Sequence, residues 1–115
     1  MLVRGIKITD HFIRQAGARF GMKEDKVVSW FNNRVKRGVI LHNANAGRMN
    51  RKHLFSTYIY HASTDCIIVI ATNKPEPAAI TVYKGSECGW FKNYKKSIGD
   101  KFNNLEPASL LFPKE

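Results

Sequence analysis

Residues 65–73 read DCIIVIATN, and the run from Cys66 to Ala71 contains no polar residue. Side chains on a strand point to opposite faces in turn, so a β-rich run that is apolar at every position belongs to a strand buried on both faces. We place it at the centre of a sheet. Toward the C-terminus, NKPEPA leads into AAITVYKG at residues 78–85, and Pro75 and Pro77 cannot donate to a ladder. Toward the N-terminus, HLFSTYIYHA at residues 53–62 is separated from the central run only by the short Ser63–Thr64 link. Links this short favour an antiparallel meander.

Farther out the code changes. VILHNA, residues 39–44, reads as another strand, and NAGRMNRK, residues 45–52, as a polar, basic connection. LVRGIKIT, residues 2–9, alternates imperfectly across Gly5 and reads as one short first strand at an edge or with a bulge. Between these lie two helical patterns. In ITDHFIRQAGARFG, residues 8–21, Thr9 or Asp10 caps the start, and Phe12, Ile13, Ala16 and Phe20 fall on one face. Gly21 supplies a left-handed stop. The second helix, KEDKVVSWFNNRVKRG at residues 23–38, has acidic Glu24 and Asp25 at its positive end and Lys36 and Arg37 at its negative end, with Val27, Trp30, Phe31 and Val35 as its buried stripe. The expected fold is α+β: an N-terminal strand and two helices packed on a mainly antiparallel sheet of four to five strands. Residues 1–115 read as a single domain, with a core over 1–85 and an aromatic C-terminal extension over 86–115.

The charge is lopsided. Nineteen Lys and Arg against nine Asp and Glu give a formal charge of +10, a field that attracts polyanions, so RNA or another nucleic acid is the first partner to consider. An acidic protein is the second. Cys66 and Cys88 form no framework, and His11, His42, His53 and His61 show no close pair at metal-ligand spacing. No metal or cofactor is expected. There is no secretory pattern and no apolar run of membrane-spanning length, which makes the cytoplasm the expected compartment and a membrane partner unexpected.

The order strand, helix, helix, antiparallel sheet, together with TDHFIRQAGARFG and AAITVYKG, resembles the small RelE-like and barnase-like ribonuclease toxins over about residues 6–84. The resemblance implies metal-independent RNA cleavage, or a descendant that kept the fold and lost the chemistry. It carries over to His11, Arg14 and Arg19 on the first helix and to Thr81 and Tyr83 on the late strand. An antitoxin or a host target would be an example of the acidic protein partner that the charge suggests. The basic loop at residues 45–52 and the aromatic tail depart from the pattern.

Cleaving RNA without a metal takes a base for the ribose 2′-OH, an acid for the leaving 5′-oxygen and a cation for the phosphate. His11 is the preferred base or acid, Arg14 lies one turn away on the same face to hold phosphate, and Tyr83 supplies a proton or a hydrogen bond. Thr81 and Tyr83 share one sheet face, with Ile80 and Val82 on the other. For binding we single out Arg19, the cluster Arg48, Arg51, Lys52 and His53, Tyr58 as a base-stacking ring, Thr81, and Lys84 at the head of YKGSECGWFKNYKK. Trp90 and Phe91 in that stretch either stack on bases or anchor the tail on the sheet. The competing reading is a non-catalytic module, encoded by a phage or mobile element, that binds nucleic acid or inhibits an acidic host protein through the same basic surface.

Overall fold

All six residues of β5 (Cys66–Ala71) are buried. Alternation of side chains sends Cys66, Ile68 and Ile70 into one apolar cluster and Ile67 and Val69 into another, on opposite faces of the sheet. In the computed structural model, which describes residues 2–42, 44, 56–73 and 75–114, this strand lies between β4 (Ser56–His61) and β6 (Ala78–Lys84), antiparallel to both. The meander is as expected. The 53–55 part of the expected strand lies outside the described residues.

The fold is α+β, and among the described residues the sheet has six strands, in the order β1 (Leu2–Val3), β2 (Ile6–Ile8), β6, β5, β4 and β3 (Val39–Ile40). The sixth strand arises at the N-terminus. Residues 2–9 make two strands, β1 (Leu2–Val3) and β2 (Ile6–Ile8), antiparallel across a two-residue turn in which Arg4 and Gly5 both take positive φ, 55° and 75°. A tight hairpin turn needs such angles at both positions. Arg4 takes them without the freedom of glycine, and its side chain is held elsewhere: Nε donates to Asn32 Oδ1 at 2.7 Å and Nη1 to the Phe112 carbonyl at 3.1 Å. β2 then pairs with β6 in parallel, Lys7 opposite Ala78 and Ile8 opposite Ala79, so the sheet is mixed.

Past Ile8 the chain turns into a helix beside the open half of β6. Thr9 caps α1 (Asp10–Phe20): its hydroxyl accepts from the Phe12 N–H at 3.1 Å and donates to the Ala79 carbonyl at 2.7 Å. α1 packs against β6. Gly21 ends it in the left-handed conformation, at φ 64°.

The first face of the sheet is covered by α1 and α2 (Val27–Arg37), through Phe12, Ala16, Val27, Trp30, Phe31 and Val35. β3 (Val39–Ile40) is shorter than the sequence implied, and the C-terminal segment protects its outer side. There the Ile40 N–H donates to the Glu106 carbonyl, the Ala108 N–H donates to the Gly38 carbonyl, and the short helix α4 (Ala108–Leu111) packs on α2. A Cβ on Gly38 would come within 2.6 Å of both the Arg34 carbonyl and Ile59 Cγ2, so the helix-to-strand turn needs glycine here.

The opposite face is covered by α3 (Gly89–Ile98), which buries Phe91 and Tyr94 against Tyr58, Ile67 and Val69. The aromatic segment read from sequence as an extension is thus the second helical layer. Between the two readings of Trp90 and Phe91, packing holds: Phe91 is buried, and the Trp90 ring lies 5.2 Å from Tyr58.

Candidate functional site

β6 carries a bulge. Val69 faces Thr81 while Ile70 faces Ala79, leaving Ile80 as the extra residue. The bulge shifts the parity of the strand. Thr81 and Tyr83 do share a face, opposite Val69 and Ile67. Ile80 and Val82 do not share one, contrary to strict alternation: Ile80 packs with the α3 cluster and Val82 with the α1–α2 cluster.

Three carbonyls on or just before β6 accept hydrogen bonds from β2, Thr9 or α1. Pro77 receives the Lys7 N–H at 2.8 Å and Ala79 receives the Thr9 N–H at 3.3 Å. The third, on Val82, lies beyond the end of β2, and the Arg19 guanidinium reaches it instead, Nη1 donating at 2.7 Å and also approaching Thr81 Oγ1 at 3.4 Å. The guanidinium carbon sits 4.7 Å from the centre of the Tyr83 ring, a cation–π stack. One turn of β6 farther on, the Lys84 ammonium lies 6.0 Å from the Phe20 ring. Thr81 is buried and acts on Arg19 rather than on solvent, whereas Tyr83 and Lys84 are half-buried. Arg19 hydrogen bonds to the strand through Nη1, and a guanidinium has five N–H donors in a planar fork. A phosphate fits that fork.

His11 and Arg14 are exposed on the side of α1 away from the core residues Phe12 and Ala16. Eight residues separate His11 from Arg19, which is about 12 Å along the helix axis. The structure therefore joins Arg19, Thr81 and Tyr83, and leaves His11 and Arg14 near the other end of the helix.

Tyr58 needs correcting. It is 1% exposed, covered by Trp90 and Phe91, so its ring has no face on which a base could stack. Arg48, Arg51, Lys52 and His53 lie outside the described residues, as does the basic connection they belong to. A second group of cations was only partly singled out by the sequence. On α3, Lys92, Lys95 and Lys96 are exposed, and Lys101 follows in the next turn. Of these, Lys95 lies over the aromatic layer, its ammonium 4.8 Å from the Phe91 ring and 5.8 Å from Phe102. The interleaving of Lys with aromatic residues in this stretch expresses an amphipathic helix: rings inward, charges outward.

A partly buried polar cluster ties the β4–β5 hairpin to the turn that follows β6. Asp65, at φ 51°, accepts from the Tyr60 hydroxyl at 3.1 Å and the Ser86 N–H at 2.7 Å, and its carbonyl accepts from the Gly85 N–H at 2.8 Å. Burial, with the Asp65 hydrogen bond and charge behind it, pushes the Tyr60 phenol up to about 12. At the same hairpin His61 is buried and its Nδ1 meets Thr64 Oγ1 at 2.8 Å. Burial, then the charges of Arg34 and Arg37, lower its pKa. These two groups serve the fold.

On the side of the sheet that carries α3, a cleft of about 610 Å³ opens between His42, the end of α3 and residues 100–106. Sequence reasoning missed it, because its walls come from segments more than 50 positions apart. Tyr94 anchors it, its hydroxyl donating to the His42 carbonyl at 2.9 Å, and His42 Nε2 lies 3.7 Å from Glu106 Oε2. The thiols take no part in either site: burial pushes Cys66 up to about 12 and raises Cys88 as well. Among the described residues, no three His, Cys, Asp or Glu side chains are grouped to hold a metal, and no helix is long and apolar enough to cross a membrane. No family model matches the chain, and neither a curated protein nor a solved structure matches it.

Proposed function

We propose that this protein binds RNA by its phosphate backbone, with Arg19 as the positioned contact and the exposed lysines of α3 as a further source of positive field. The observation that carries this reading is the Arg19 guanidinium, fixed by the Val82 carbonyl and stacked on Tyr83 at the part of β6 beyond the end of β2. A side chain already ordered in this way loses little freedom when it takes a phosphate. The net charge of +10 supplies the attraction that brings a polyanion to it. Such contacts recognise backbone rather than sequence.

Cleavage by a toxin-type ribonuclease asks for more than this. It needs an acid and a base on either side of one phosphate, whereas His11 is about 12 Å along α1 from the Arg19–Tyr83 stack. Binding is the function this arrangement favours, and the resemblance to ribonuclease toxins is read here as kinship of layout. The test is a labelled single-stranded RNA incubated with the protein in EDTA. The expected result is a complex that weakens with salt, RNA that stays intact, and affinity lowered by about tenfold in Arg19→Gln, as for loss of one charged contact. Cleavage that disappears in His11→Ala would replace this reading with the catalytic one. Full retention of affinity in Arg19→Gln would remove Arg19 from the interface.

A further inference from the structure

An apolar side chain standing singly on a surface needs no explanation, but several gathered in one place do. Among the described residues four large ones are exposed, and three of them belong to α2 and α4: Val28 at 38%, Leu110 at 71% and Leu111 at 48%. α4 lies beside the C-terminal half of α2. At one end the Ala108 N–H donates to the Gly38 carbonyl, and at the other Arg4 joins the Phe112 carbonyl to Asn32 Oδ1. Val28 is one helical turn before Asn32 on the same side of α2. The two leucines therefore flank the second half of α2, and Val28 continues their line along the first half.

The outer side of α2 carries charge in a matching order. Asp25, in the turn that opens the helix, and Lys36, in its last turn, are both exposed. They stand eleven residues apart, about three full turns, so they mark the two ends of one line on the side away from Val27, Trp30, Phe31 and Val35. Among the described residues neither has an ion-pair partner in its own chain. Glu24 beside Asp25 and Arg37 beside Lys36 repeat the two signs. An acid at one end and a base at the other is a pattern that matches itself when reversed. A second copy turned by a two-fold axis across α2 sets Asp25 of each chain against Lys36 of the other, as an isologous contact requires. The same rotation carries residues 32–38, the stretch beside α4, over residues 23–29 of the second copy. Leu110 and Leu111 then meet Val28 of that copy, so one operation serves both the charges and the apolar side chains.

We propose that the α2–α4 surface joins two copies of this chain in an antiparallel two-fold dimer, with Leu110 and Leu111 of each seated on Val28 of the other and Asp25 paired with Lys36 at both ends. The net charge of +10 on each chain opposes association, and the alternation of sign along α2 lets these two faces approach where others repel. The contact uses neither Arg19 nor the lysines of α3, so it does not depend on the RNA-binding reading.

Sedimentation equilibrium of the nuclease-treated full chain over a concentration series tests it. The expected mass rises from that of one chain to that of two. Leu110→Glu combined with Leu111→Glu should raise the dissociation constant by at least about tenfold, as for loss of an apolar anchor at the centre of an interface. Both side chains are exposed in the single chain, so the fold is kept, and an unchanged circular dichroism spectrum checks this. The charges give a second, independent reading. Asp25→Lys alone and Lys36→Asp alone each set like charges together at both ends, and each variant should sediment as one chain. Mixed in equal amounts, the two variants are complementary at both ends and should associate again. Recovery on mixing is specific to the antiparallel two-fold arrangement. A mass of one chain at every concentration overturns the proposal and leaves this face to a protein of another kind. A dimer that neither the leucine pair nor the charge reversals weaken also overturns it, because its contact lies elsewhere.

Discussion

Gly38 and Gly85 occupy positions where a single methyl group has nowhere to go. A Cβ on Gly85 would fall on the Asp65 carboxylate, and one on Gly38 would meet the backbone of Arg34 as well as Ile59. The second is the harder to relieve, since the Arg34 carbonyl belongs to the last turn of α2. Gly38→Ala is expected to destabilise the protein by about 1–3 kcal/mol, the range for overpacking, seen as a lower urea midpoint at unchanged slope. His61 gives a pH signature. Its folded pKa lies below the ordinary 6.5, so the unfolded chain binds the proton first, and stability present above 6.5 is lost as the pH falls toward the folded value. The wild-type melting temperature should fall on acidification through that window by more than that of His61→Gln. Tyr60 acts at the other end. With its phenol held up to about 12 against an ordinary 10.0, stability is complete below 10.0 and declines as the pH rises through about 12. At this scale the sequence was legible where side chains obey a period, as in the Phe12, Ala16 and Phe20 stripe. It was opaque at Arg4, whose positive φ is sustained by Asn32 and Phe112, far along the chain.

Elements show the same division. α1 was readable from its cap, its stripe and its terminal glycine. That it packs on β6 was not readable, because the pairing of β2 with β6 joins residues about seventy positions apart. The bulge at Ile80 was hidden too: neither glycine nor proline stands beside Ile80 to mark it, and it bears on which carbonyl, that of Val82, Arg19 reaches. The aromatic tail was legible as a segment that could anchor on the sheet, yet the face α3 covers depends on which side of β5 was still bare. The C-terminal segment is a structural element in its own right. Phe112, 7% exposed, belongs to the α1–α2 cluster, and its carbonyl holds Arg4. Phe112→Ala should cost about 3 kcal/mol or more, as for other buried aromatic truncations, and should speed amide exchange in both the N-terminal hairpin and β3. Exchange confined to α4 would contradict this coupling.

The molecule as a whole has one sheet with an apolar layer on each face and a surface dominated by positive charge. Charge was legible in the composition alone. Where it is concentrated was not, because the α3 lysines become one surface only when Phe91 and Tyr94 turn inward. The central claim is that this surface, together with Arg19, binds RNA by its backbone. The most direct test is the affinity of a labelled oligouridylate measured by anisotropy over a salt series, for wild type and for the Lys92→Glu, Lys95→Glu, Lys96→Glu triple variant. These side chains are exposed, so their replacement leaves the core intact. For wild type the account predicts a log–log salt slope steeper than about −2, the value for three phosphate contacts on a single strand. The triple variant should have a shallower slope and affinity reduced at least about tenfold at low salt. Binding that is insensitive to salt, or equal in the two proteins, would contradict it.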